Sequence, residues 1–372
     1  MIDQERLLDD FIALTRIDRP SRREAAAARF LRRRLQELGA TVMEDGAATS
    51  TGGDGGNLLA RWPGQGSTTL LFCAHMDVVT PANGIEPRRE DDLIVSAGET
   101  VLGADDGAGL CAILAGIRAV MEYDLPHPPL EVLFTVCEEV GLLGVKYAVA
   151  QGQLTAKYGF TFDGGNPQEV VIAGPAQDSF TITVLGKAAH AGVHPEEGIN
   201  AIQTAAQAIA SLPLGRLDEE TTANIGVIHG GQATNIVPDL VTIEGEARSH
   251  DPQKLAEVTQ KIAQSFTAAA LANQAVAKIQ IERAYEAFHI PLQHPLLTLL
   301  QAAMAKTGLE MQTTASGGGS DSNVLNAAGI PTVTLGCGMH RVHTTDEYLA
   351  IPELVQAARL VYQLVTSQVD NG

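Results

Sequence analysis

Imidazole and carboxylate side chains recur in this sequence where apolar runs stop. TTLLFCAHMDVV places His75 and Asp77 on one strand face, two residues apart, VLGADDGAG sets Asp105 and Asp106 between glycines, and LEVLFTVCEEVG ends at Glu138 and Glu139. GFTFDGG ends at Asp163, and GMHRVHTTDEY carries His340 and His343. Neighbouring side chains on a strand point to opposite faces, so the paired glutamates cannot both be surface decoration of a buried run. Nitrogen and oxygen donors of this kind suit zinc, and two zinc ions about 3.5–4 Å apart can share a carboxylate and a water. Cobalt or manganese would accept the same donors. The ligand count closes if His75 and Asp163 serve one ion, His343 and one glutamate serve the other, and Asp105 or its neighbour Asp106 bridges them. One glutamate is then left to take a proton from the bridging water as general base. Asp77 falls behind His75, where a carboxylate fixes an imidazole ligand.

These residues are far apart in sequence, so the fold must gather them. After two helices broken at Arg19-Pro20 come LLARW, TTLLFCAHMDVV, a helix from about Gly107 to Met121, LEVLFTV, a helix from about Leu142 to Ala150, and YGFTFD. This alternation predicts an α/β fold, a mixed, largely parallel sheet with helices on both faces, whose strand ends define a ligand crevice. From Gln177 the rhythm becomes DSFTITVLG (strand), GINAIQTAAQAIASL (helix), TTANIGVIHGG and LVTIEGEARS (strands), DPQKLAEVTQKIAQSFTAAAL (helix) and AVAKIQIERAY (strand). The order βαββαβ is that of a ferredoxin-like α+β unit. The expected organisation is a catalytic domain over 1–176 and 290–372, with a lid domain inserted over 177–289.

A chain of 372 residues with 45% hydrophobic content can bury a large core, and a formal net charge of −19 argues against nucleic acid or an anionic membrane as partner. No apolar run is long enough for a membrane span. Cys73, Cys111, Cys137 and Cys337 are scattered singly without CxxC spacing, which favours free thiols in a reducing compartment and a cytoplasmic location.

HxD after an apolar strand, GADD before a helix, EE, FDGG and HTTDEY, in this order, closely resemble the co-catalytic zinc peptidases that include peptidase T, carboxypeptidase G and the aminoacylases. LGADDGAG, FTFDGG and MHRVHTTDEY look most like the peptidase T-like branch. The resemblance covers essentially the whole chain. It implies two zinc ions per subunit, Asp105 as the bridge followed by a cis peptide bond, Glu139 as the ligand and Glu138 as the base. It also implies that the inserted unit is a lid through which a homodimer forms. Within that unit, GKAAHAGVHPEEGINA resembles the segment whose histidine, here His190, polarises the substrate carbonyl, a role suited to a water-excluded site. Asn235 in GGQATNIVP and Arg248 in EGEARSHDP resemble residues that hold the substrate's terminal carboxylate, for which arginine's planar fork is suited. SGGGSDS, with Gly318 and Ser320, resembles a loop lining the substrate cleft. Gly107 departs from the many relatives with lysine at that place; as a non-ligand it is read as neutral for metal binding.

The function these features point to is a metal-dependent exopeptidase, a peptidase T-like tripeptide aminopeptidase acting on short peptides through a zinc-bridged hydroxide. An N-acyl amino acid deacylase or a carboxypeptidase would use the same metals with a different pocket. A serine hydrolase on Ser320 lacks the G-x-S-x-G elbow. A metal-binding scaffold without turnover would have no use for Glu138, which holds no metal in this scheme.

Overall fold

Strands buried on both faces read as near-continuous apolar runs, and four such runs form the centre of the larger sheet. They are Leu130–Thr135, Leu70–His75, Tyr158–Gly164 and Thr332–Gly336, adjacent in that order and mutually parallel. Leu58–Trp62 and then Thr41–Glu44 extend one side antiparallel, while Glu169–Gly174, with Gln312–Ala315 paired to it, extends the other. The sheet is mixed and largely parallel. The computed structural model describes residues 2–367.

Alternation along the central strands sets what lies on each face. Thr161 accepts the Ser322 hydroxyl at 3.0 Å and Cys73 lies 3.6 Å from Asp321, so that face carries the helix Asp321–Ala327. Phe72, Phe160 and Phe162 cluster on the opposite face, in the layer built by the apolar helix Ala104–Met121. The helices Ile351–Thr366 and Gln4–Thr15 pack on that helix in turn. Four short strands, Pro87–Glu90, Leu93–Ser96, Tyr348–Ala350 and Met339–His340, make a small antiparallel sheet that sequence periodicity did not announce.

Two local expectations change. The strand of TTLLFCAHMDVV ends at His75, so Asp77 stands beyond it and not two places along the same strand face. The helix expected from Gly107 begins at Ala104, with Asp105 and Asp106 in non-helical conformations inside its first turn and a cis peptide bond between them, the bond the family resemblance implies.

Contacts divide the chain into two units. The first runs up to Ala173, includes His289–Ala315 and resumes at Ser320; the second is Gly174–Phe288 with the loop Ser316–Gly319. In the second, five antiparallel strands run in the order Gly215–Arg216, Thr221–Gly230, Leu240–Ser249, Ala176–Leu185, Val276–Tyr285. Ala176–Leu185 buries every other residue, and Phe180, Ile182 and Val184 meet Ala201, Ala205 and Ala208 of the helix Ala201–Ala210 and Ile262 and Phe266 of the helix Pro252–Ala272. One face is thus apolar and covered by helices, as the period of two requires.

Candidate metal centre

His75 closes its strand with its side chain only 2% exposed. Its Nδ1 faces the main-chain oxygen of Asp77 at 3.0 Å, which turns Nε2 toward Asp105 Oδ1 at 2.9 Å and Asp163 Oδ1 at 3.8 Å. The other oxygen of Asp105 lies 3.2 Å from His343 Nε2, and His343 Nε2 is 3.1 Å from Glu139. One carboxylate is therefore divided between two imidazoles. Donor atoms of His75, Asp105 and Glu139 lie within 4.8 Å of one another, as do those of His75, Asp106 and Asp163. Asp106 is the weaker bridge, because its oxygens already accept main-chain N–H groups of His75 at 3.2 Å and Gly109 at 3.0 Å.

The electrostatics fit a cation. Among the described residues, the ion-pair partners of Asp105, Glu139 and Asp163 are imidazoles. Burial first, then the neighbouring carboxylates, holds Asp163 and Glu138 well above the ordinary carboxylate range. Hydrogen bonds to Asp105 and Glu139 push His343 up to about 10. Burial opposes protonation of His75, but its bonds to Asp105 and Asp77 prevail and raise it well above the ordinary value. A protonated imidazole between carboxylates holds the place that a metal ion takes when it displaces the proton. The donor set of two histidines and three carboxylates suits zinc, cobalt or manganese.

Backbone conformation is unusual at or beside two of the ligand candidates. Cys137, just before the two glutamates, has φ +55°, and His343 has φ +63°. Left-handed conformations at bulky residues cost free energy and tend to gather at functional sites. Asp77 contributes more than an imidazole partner: its carboxylate accepts the main-chain N–H of Glu138 at 2.9 Å and of Glu139 at 3.2 Å, and the Ser21 hydroxyl at 2.7 Å. Glu138 is buried, and no hydrogen bond to its carboxylate is found among the described residues. His340, which the sequence leaves open between a group supporting a ligand and a surface histidine, stacks on Tyr348 and reaches Glu353 at 2.7 Å.

Three buried residues around this cluster escaped the sequence. Glu347, 2% exposed, accepts the N–H groups of Leu102, Gly103 and Asp105; the HTTDEY motif contains it but nothing in the spacing assigns it a task. Arg19, fully buried, donates to the main-chain oxygens of Met76 and Gly103, and a lone arginine before proline gives no signal. Asp321 accepts the Thr135 hydroxyl at 2.6 Å and is pushed up to about 6 by burial.

The remaining candidates stand elsewhere. In the second unit, exposed His190 and Asn235 are neighbours, the N–H of Ala191 donating to the Asn235 carbonyl at 3.0 Å. Arg248 is engaged by Glu246, through Nε at 2.9 Å and Nη2 at 3.0 Å, which turns Nη1 toward Gly318. In the first unit, Ser320 opens the helix Asp321–Ala327, its N–H donating to Asn323 at 3.1 Å and its hydroxyl 3.2 Å from Thr334.

Two family profiles match, a peptidase dimerisation domain over residues 177–275 and peptidase family M28 over residues 57–211. The crystal structure of aminopeptidase PepT from Bacillus cereus is 41% identical, with a TM-score of 0.88 over 98% of each chain. The chain belongs to the peptidase T-like family of metallopeptidases. A tripeptidase from Staphylococcus aureus is 37% identical with a TM-score of 0.93 over 99% of each chain. The Bacillus subtilis protein YqjE, described as uncharacterized, is 41% identical over 98% of this chain and 99% of its own length. The five ligand candidates all lie in the first unit, Asp163 and Glu139 reaching the two imidazoles that flank Asp105. No helix among the described residues is long and apolar enough to cross a membrane.

Proposed function

We propose that this chain is a cytoplasmic, dinuclear zinc aminopeptidase that removes the first residue of tripeptides and other short peptides. The observation that carries the reading is the division of the Asp105 carboxylate, Oδ1 toward His75 and Oδ2 toward His343. His75 and Asp163 would hold one ion, Glu139 and His343 the other, with Asp105 between them. When bound, the ions would supply Lewis acidity and lower the pKa of the attacking water. Glu138 takes the water's proton and returns it to the amine nitrogen as the peptide bond breaks. Its burial suits both duties, since a carboxylate with raised proton affinity holds the proton long enough to deliver it. Asp77 keeps the Glu138 main chain in place during both transfers.

From the second unit we assign His190 to the substrate carbonyl oxygen, and Asn235 and Arg248, beside Gly318, to the terminal carboxylate. Ser320 is assigned to the lining of the cleft. Four free, buried cysteines are consistent with the cytoplasm.

A homodimer through the second unit belongs to the same reading. Thr221–Gly230 pairs with Gly215–Arg216 only at Thr222 and Ala223, so its stretch from Asn224 onward has one open edge among the described residues. Val227 and Ile228 there are 37% and 50% exposed, and Ile202, next to Gly230, is 43% exposed. Open strand edges with apolar side chains are templates for pairing.

The test is to incubate the zinc-loaded protein with a free tripeptide and its N-acetylated twin and identify the products by mass spectrometry. Release of the first residue from the free peptide alone supports the reading. Loss of acetate, or cleavage at the carboxyl end of both, would move the activity to the deacylase or carboxypeptidase branch.

A further inference from the structure

Gly103 is gripped from both sides. Its N–H donates to Glu347 Oε2 at 2.8 Å and its carbonyl accepts Arg19 Nη2 at 2.6 Å. Arg19 Nη1 reaches on to the main-chain oxygen of Met76 at 2.6 Å, one residue past His75. Glu347 takes two further amides, Leu102 N–H on Oε2 at 2.6 Å and Asp105 N–H on Oε1 at 2.9 Å. Three segments that carry ligand candidates are therefore joined in series: the end of the His75 strand, the loop before Asp105, and the turn from His343 to Glu347.

The local sequence makes room for this arrangement. Gly103 has φ +73°, a conformation that suits glycine, and a Cβ there would lie 3.0 Å from Arg19 Nη2. A Cβ on Gly107 would lie 2.8 Å from the same nitrogen, so a side chain there would make the guanidinium shift, whereas Gly107, neutral as a ligand, leaves it room. Helix Ala104–Met121 has no side-chain cap of its own. Glu347 supplies the missing acceptors from a distant part of the chain, and a carboxylate there also complements the positive end of the helix.

We infer that Glu347 and Arg19 are positioning residues for the metal centre, fixing the main chain of Leu102–Asp105 so that the Asp105 carboxylate stays divided between His75 and His343. The inference rests on the dinuclear reading above. Neither residue is among the ligand candidates; the hydrogen bonds of both go to main-chain groups. Their effect passes through the backbone, which distinguishes them from a salt bridge between the two; each instead binds main-chain groups. Glutamine at 347 would turn an amide N–H₂ toward a backbone N–H, so either the Asp105 contact or the Leu102 and Gly103 contacts must be given up. Lysine at 19 has one nitrogen and cannot span Met76 and Gly103 as the fork does.

The experiment compares wild type, Glu347→Gln and Arg19→Lys for zinc affinity by competition with a chromophoric chelator, for the visible spectrum of the cobalt-loaded protein, and for thermal melting of the metal-free protein. Expected is a loss of about 10- to 100-fold in affinity for at least one ion, with a changed cobalt spectrum, in whichever variants retain native circular dichroism. A lower melting temperature with wild-type affinity and spectrum would make the pair structural only and overturn the inference. Uptake of fewer than two ions by the wild type would instead overturn the dinuclear reading, and the inference with it.

Discussion

The Asp77 carboxylate holds the main chain of Glu138, Oδ1 accepting its N–H at 2.9 Å while Oδ2 accepts that of Glu139 at 3.2 Å. The residue behind the first imidazole therefore also fixes the main chain of Glu138, the proposed base, and of Glu139, the proposed ligand. Asp77→Asn keeps the volume but turns a donor toward one of these amides. Steady-state kinetics should show kcat falling by about 10- to 100-fold with a smaller change in KM. A change confined to KM would remove Asp77 from the catalytic machinery.

Glu138→Gln separates base from ligand. Metal content should stay at the wild-type level while kcat falls by about 10²–10⁴-fold. Loss of a metal ion from this variant, read by elemental analysis, would mean that Glu138 and Glu139 have exchanged roles.

His343 gives a prediction with a definite sign in pH. Asp105 and Glu139 hold its folded-state pKa at about 10, above the ordinary 6.5, so the metal-free protein keeps this proton at neutral pH. Zinc needs the neutral imidazole, so metal uptake near pH 7.5 should release protons, and apparent affinity should weaken as pH falls. Calorimetric titration in buffers of different ionisation enthalpy measures the release, which should shrink in His343→Ala. Stability of the metal-free protein follows the same group: its contribution is complete below pH 6.5 and fades as pH rises toward about 10. Equal proton release in wild type and His343→Ala would show that this histidine is not a ligand.

The open edge of Thr221–Gly230 makes the oligomer testable. Ile228→Asp places a charge on the half-exposed apolar edge and should shift the protein from dimer to monomer in light scattering coupled to size exclusion, with helix content unchanged. A dimer of undiminished stability would place the interface elsewhere.

What could be read from sequence was what burial and period betray. The central strands announced themselves because both faces are buried, and ligand candidates stood out because polar residues interrupt those runs. Pro87–Glu90 and Leu93–Ser96 did not: each spans four residues, too short to show a period, and Pro87–Glu90 is mostly exposed and charged. Arg19 and Glu347 were invisible for another reason. Their partners are main-chain atoms, far away in sequence, that carry no residue identity. Asp77 was half legible: its place beside His75 follows from spacing, whereas its hold on Glu138 depends on how strands Leu70–His75 and Leu130–Thr135 lie side by side.

The most direct test removes all metal with a chelator, confirms by elemental analysis that the chain is metal-free, and restores zinc in steps while following release of the first residue from a tripeptide. No activity is expected without metal, with full activity returning as the second equivalent per chain is filled; in Asp105→Ala the second equivalent should not bind. Turnover by the metal-free protein, or two ions held as tightly by Asp105→Ala as by wild type, would contradict a centre bridged by Asp105.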